Sequence, residues 1–199
     1  MTTKRLITFL VTASFLSLSA CTNTTQYGKV AQGNSAHFHV SNDQLISVAE
    51  KMARNLISYP TIAAMLKERH PKVAIASIIN QTSGEINTNL IEDALVEHLE
   101  QSGHFSISNR SKTKRAQAIT TQNQLFDSID KYTAKRIGSK IKTDYLLYGS
   151  LHRVIRTKPT SKEVYYNFDL HMLNTKSGKV VWQNNIEILK NRKTAIFGI

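Results

Sequence analysis

Val73 to Ile79 reads Val-Ala-Ile-Ala-Ser-Ile-Ile, an almost unbroken apolar run rich in β-branched residues. A half-exposed strand alternates apolar and polar residues, whereas a continuous run of this length suits a central strand of a sheet. The rest of the chain must therefore supply the strands beside it and the layers that cover it. The chain has 199 residues, of which 41 % are hydrophobic, with only three prolines and eight glycines. That is enough for one packed domain plus attachments and argues against a long disordered chain.

The segments around the run alternate in type. Ser41 and Gln44 have the spacing of a helix capping box, and Leu45, Val48, Ala49, Met52, Ala53 and Leu56 then recur at helical intervals. Tyr59-Pro60 interrupts, because the residue before proline disfavours helix, and a second helical turn is expected over Thr61 to Lys67. Asn80-Gln81-Thr82-Ser83-Gly84 reads as a polar loop. Helix returns from Asn89 with Ile91, Ala94, Leu95 and Leu99 as its buried stripe, and Ser102-Gly103 closes it. Phe105, Ile107 and Asn109 begin a short strand.

Ser111 to Ile141 reads as helical with a break near Gln124 to Ser128. Ile129, Tyr132, Ala134, Ile137 and Ile141 suit an amphipathic helix, which Gly138 weakens. Three strands follow, over Tyr145 to Ile155, Val164 to Leu173 and Val180 to Leu189. In the second, Tyr166, Phe168, Leu170 and Met172 share one face. Lys176-Ser177-Gly178-Lys179 reads as a hairpin turn with glycine at the positive-φ position. A longer connection, Arg156 to Lys162, holds Pro159. The order predicts an α+β fold, with helices packed on a mixed sheet that ends in a three-strand antiparallel meander.

The N-terminus reads as an export signal. Lys4 and Arg5 form the positive region, Leu6 to Leu18 is apolar, and the small residues Ser19 and Ala20 follow. The stretch is too short for a membrane-spanning helix, which takes about 20 apolar residues. Leu18-Ser19-Ala20-Cys21 resembles the lipobox of bacterial lipoproteins, and Cys21 is the only cysteine in the chain. The resemblance implies a diacylglycerol thioether on Cys21, cleavage after residue 20 and acylation of the new amino group. Two or more acyl chains anchor stably, whereas one binds marginally. The familiar inner-membrane retention signal has Asp after the cysteine. Here Thr22 stands there, which by analogy implies the outer membrane, facing the periplasm. Residues 21–40 are polar and without apolar period, and read as a flexible tether. Its relaxed span is about 25 Å and its limit roughly 70 Å.

Little in the sequence suggests catalysis. There is no Gly-x-Ser-x-Gly elbow, no paired-carboxylate pattern and no glycine-rich phosphate loop. His37-x-His39 lies in the tether without a third ligand. His98 and His104 flank a helix end, where positive charge suits the dipole. His152 and His171 fall on neighbouring strands without a ligand signature. No enzyme activity, metal, cofactor or small-molecule substrate is expected. The formal net charge is +12. Export argues against nucleic acid as the partner, so the charge points to an acidic protein surface or envelope polyanions. It is concentrated in Arg110, Lys112, Lys114, Arg115, Lys131, Lys135, Arg136, Lys140 and Lys142, against only Asp127 and Asp130.

Four segments together resemble LpoB-type lipoproteins, the outer-membrane activators of bifunctional penicillin-binding proteins. Val73 to Thr82 is similar to that family's first strand and Asn-x-Thr loop, and Leu95 to Phe105 to its helix and following turn. Thr143 to Ser150 and Leu173 to Trp182 are similar to its later strand and its hairpin ending in Trp. The resemblance covers most of residues 41–199. It implies a non-enzymatic domain that docks on a peptidoglycan synthase and stimulates it. Asn80 and Thr82 of the loop, with Arg110, Lys112, Lys114, Arg115, Lys131, Lys135 and Arg136, are the expected contact residues. The tether departs from the family, whose better-known members have a long proline-rich one. Similar patterns occur in TolB-N-terminal-like and CsgG-like domains, so the alternative partner is an envelope secretion or motility machine.

Overall fold

The computed structural model describes residues 40–121, 129–159 and 161–194. Cys21, the signal segment and the tether up to residue 39 lie outside these residues, as does the expected break near Gln124 to Ser128.

Helix α1, Asn42–Ser58, begins at the expected capping box. The Ser41 hydroxyl accepts from the Gln44 amide, and the Gln44 side chain accepts from the Ser41 amide. Val40, read from the sequence as the last tether residue, is only 6 % exposed and shares a core with Leu45. A hydrophobic pair on these two sides of a cap fixes how the chain enters the helix. The domain therefore starts at least one residue earlier than its polar flank suggests. Helix α2, Pro60–Glu68, follows with proline at its start, where no amide is needed.

The apolar run does not form one strand. It splits into β1, Lys72–Ile75, and β2, Ile79–Gln81. Both pair in parallel with β4, Tyr145–Lys158, but Ile75 lies opposite Leu147 and Ile79 opposite Ser150, so one extra residue bulges out between them. The bulge is held by side chains. The Ser77 amide donates to Gln117 Oε1 at 2.7 Å and the Ile78 amide to Glu92 Oε1 at 2.9 Å.

Helix α3, Asn89–Gln101, leads to the two-residue strand β3, Ser106–Ile107, which lies parallel to β1. Helices α4, Arg110–Thr121, and α5, Lys131–Ile141, come next. The strands β4, β5 (Ser161–Asn174) and β6 (Val180–Thr194) form the antiparallel meander. The sheet order is β3-β1-β4-β5-β6, with β2 also on β4. The sheet is thus mixed, as expected. Its last connection turns at Gly178, φ 71°. The connection between β4 and β5 is shorter than expected. Pairing continues to Lys158 opposite Ser161, so only two positions separate the strands. Proline's fixed φ suits the entry to a tight turn.

Alternation along the strands feeds two cores. Val73, Ile75, Tyr145, Leu147, Leu151, Phe168, Leu170, Met172 and Trp182 pack with apolar residues of α1, α2 and α3. On the opposite face, Ala74, Ala76, Leu146, Tyr148 and Leu173 pack with Ala116, Ile129, Ala134 and Ile137. Gly138 belongs to this second interface. A methyl there would overlap the Thr175 side chain, whose Cβ would lie only 3.0 Å away. The glycine lowers helix propensity, yet it lets α5 approach the end of β5.

Candidate docking surface

The expected contact residues divide into two sets. Arg110 and Lys114 face inward, toward α3. Glu92 is 3 % exposed, and its Oε2 lies 2.5 Å from Arg110 Nη2 and 3.3 Å from Lys114 Nζ. Asn89 Oδ1 accepts from the same two groups at 3.2 and 2.9 Å, and Arg110 also pairs with Asp93. Glu92 thus joins α3, α4 and the bulge through one carboxylate. A buried carboxylate requires such partners, because an unpaired charge away from water is strongly unfavourable. These two cations neutralise it, and their side chains stay partly exposed, at 33 % and 42 %.

The second set points outward. Lys112 and Arg115 on α4, and Lys131, Lys135, Arg136 and Lys140 on α5, are exposed, as is Lys142 at the α5 C-cap. None of them joins an ion pair among the described residues. Lys131 Nζ sits 5.1 Å from the centroid of the Tyr132 ring. Tyr132 departs from the expected buried stripe, being 68 % exposed, and Ile119 on α4 is 51 % exposed. Two large apolar side chains among these exposed cations are a composition suited to protein contact, where tyrosine and arginine are enriched. Helix α5 itself is fixed by Asp130, whose carboxylate accepts from the Thr133 amide at 2.8 Å. That backbone hydrogen bond, then the Thr133 hydroxyl, holds Asp130 below its ordinary pKa.

Asn80 and Thr82 are both half-buried and serve the loop itself. Asn80 Oδ1 accepts from the Thr82 amide at 2.9 Å and hydroxyl at 2.7 Å, and Asn80 Nδ2 donates to the Gly84 carbonyl at 2.9 Å. This is a self-closing Asx turn. Their side chains present the loop in one shape, and the loop is tied to β4 through Gln81 with His152 and Ser83 with Arg153.

One juxtaposition escaped the sequence reading. His152 Nε2 meets the Asp169 carboxylate and His152 Nδ1 lies 2.7 Å from Gln81 Oε1. Ser150 stands opposite Asp169 in the register. By type this is a hydrolase trio, with Asp169 on one imidazole nitrogen of His152 and Gln81 on the other. Among the described residues no group of three His, Cys, Asp or Glu side chains is placed to hold a metal ion. Alternating polar residues in β5, at Asn167, Asp169 and His171, were the available signal.

A family model described as peptidoglycan-synthase activator LpoB matches residues 44–188. The chain belongs to the LpoB family. The match spans both cores and the helix pair that carries the exposed cations. Among solved structures, the LpoB C-terminal domain from Escherichia coli gives a TM-score of 0.51 at 14 % identity, covering 72 % of this chain and 97 % of that one. The corresponding domain from Salmonella enterica gives 0.49 at 14 % identity, covering 70 % of this chain and 94 % of that one. At 14 % identity the likeness to the Escherichia coli domain shows the fold. No curated protein matches this sequence significantly. The LpoB family is one of activators rather than catalysts. Among the described residues no helix is long and apolar enough to cross a membrane.

Proposed function

We propose that the protein is a lipid-anchored envelope regulator that docks on a bifunctional penicillin-binding protein and stimulates its peptidoglycan synthesis. Membership of the LpoB family over residues 44–188 carries this reading. The outer faces of α4 and α5 are the contact surface, with Arg115, Lys131, Lys135 and Arg136 around Tyr132 and Ile119. Lys112 extends the same surface, and the Asn80–Thr82 loop assists. Arg110 and Lys114 act indirectly, by holding α4 against α3. The partner's matching surface is acidic, so association is fast at low ionic strength and slows with salt.

Cys21 is the anchor, lipidated after removal of residues 1–20, and residues 21–39 tether the domain to the periplasmic face of the outer membrane. The lipobox resemblance and the family support this. Labelled palmitate should enter the wild type and not Cys21→Ala; label in the variant would place the anchor elsewhere.

The docking surface is tested by replacing Arg115, Lys131 and Arg136 with Glu. All three are exposed, so circular dichroism should be unchanged, since exposed charges contribute little to folding. Binding to the synthase of the same organism, and its glycan polymerisation rate, should both fall. Full binding by the folded variant would remove α4 and α5 from the interface. Failure of the wild type to bind or stimulate any such synthase would favour the secretion- or motility-machine partner.

A further inference from the structure

Beyond Tyr148 the sheet face under α5 turns from apolar to polar. Register places Ser150 and His152 of β4, Asn167, Asp169 and His171 of β5, and Gln183 and Asn185 of β6 on adjoining rungs. A hollow of about 290 Å³ opens there, lined by Asp169, His171, Gln183, Asn184 and Asn185. We propose that this hollow is a saccharide subsite that takes one uncharged pyranose unit of an N-acetylated glycan.

Every lining side chain is polar, and only Asp169 carries a full charge. An apolar ligand would bury nothing there, and a phosphate or other anion would meet a carboxylate. The Asp169 carboxylate is held on both sides, by His152 through one oxygen and by Asn185 Nδ2 through the other. Each oxygen keeps a further lone pair with which to accept from a sugar hydroxyl. The Gln183 amide can donate and accept at once, as neighbouring hydroxyls and an acetamido group require. His171 is stacked on Tyr148, centroids 5.2 Å apart and planes 20° from parallel. Burial lowers its pKa, with Asp169 opposing, which favours a neutral imidazole. Its Nδ1 is buried and has no hydrogen-bond partner among the described residues. His171 as a residue lines the hollow. The volume lies at the lower end of ligand pockets, about 300–1,000 Å³, which suits a single ring rather than a larger molecule.

The test is a titration of the purified full-length chain with chitotetraose, followed by amide chemical shifts and calorimetry, with inorganic phosphate as the anion control. Saturable shifts centred on His171, Asn184 and Asn185, with no response to phosphate, are expected. Asp169→Asn should weaken binding about tenfold, the effect of losing one charge-assisted hydrogen bond. Because that change also touches the His152 contact, Gln183→Ala serves as the second variant. Gln183 is exposed, so its fold should be intact and its binding weaker. Absence of saturable shifts with chitotetraose, equal binding by Gln183→Ala, or saturation of the same residues by phosphate would each overturn the proposal.

Discussion

The two faces of the sheet are built on different scales. On one, Val73 and Ile75 meet Leu95, Leu99, Met52 and Leu56 across a broad core. On the other, Ala74 and Ala76 meet Ala116 and Ala134. Each large aliphatic side chain buried in full contributes about 1.5–3 kcal/mol, and the broad core has many of them. The alanine face has few, so its helices need other fastenings: Glu92 with Arg110 and Lys114, the Gln117 bond to the Ser77 amide, and the Asp130 cap. The basic helix pair is thus held by polar contacts at its inner edge, and its outer face is free to carry charge and exposed Tyr132. The broad core keeps the fold, and the lightly packed face carries the exposed cations.

That contrast can be broken first at Glu92. Glu92→Ala leaves Arg110, Lys114 and the Ile78 amide without their shared acceptor, and should cost about 3–5 kcal/mol, the scale for removing one member of a buried ion pair. Urea unfolding measures it. A loss below about 1 kcal/mol, the scale of an exposed pair, would mean the carboxylate is not a fastening at all.

The packing difference is sharpened by two opposite substitutions. Leu95 and Ala134 are both fully buried. Leu95→Ala should cost about 2–5 kcal/mol through the cavity it leaves. Ala134→Leu should cost about 1–3 kcal/mol through overpacking, since the alanine face has no room for a larger side chain. If the added bulk proves neutral in thermal denaturation, the close seating of α5 on the sheet is mistaken.

Asp130→Ala should have the smallest effect, about 1 kcal/mol, as expected for a lost N-cap. Its pH dependence has a definite sign. The folded-state pKa is lowered from its ordinary value of 3.8, chiefly by the Thr133 backbone hydrogen bond. The ionised cap therefore stabilises fully above the unfolded pKa, and its contribution fades as pH falls through the folded one. The gap between wild type and variant should be constant near neutrality and shrink below about pH 4. A gap that widens on acidification would reverse the assignment of Asp130 as a cap.

What was legible in the sequence follows from range. Helical stripes such as Leu45 to Leu56 and the alternation from Tyr166 to Met172 are local patterns, and they placed the helices and the meander. The break in the apolar run was not legible, because the groups that hold it, Glu92 and Gln117, come from helices far along the chain. Arg110 and Lys114 read as surface charge for the same reason: their partner lies in the preceding helix. Pro159 suggested a loop, whereas backbone pairing from Lys158 to Ser161 decided for a tight turn. Tyr132 fitted a stripe by spacing alone, and only the seating of α5 turned it outward. His152 and Asp169 come together because β4 and β5 run in antiparallel register, which neither residue announces.

The close pairing of Lys158 with Ser161 also bears on the order of folding. Closing a short turn takes microseconds, and each further rung of a hairpin adds a contact at little extra entropy. The β4–β5–β6 meander can therefore zip from its turns outward as a local event. The parallel partners cannot: Val73 must find Tyr145, and Lys72 must find Ser106, across long stretches of chain. Non-local pairing of this kind sets the rate of folding. This topology predicts that the antiparallel half forms before β1 arrives, with the docking of the apolar run onto β4 as the expected slow step.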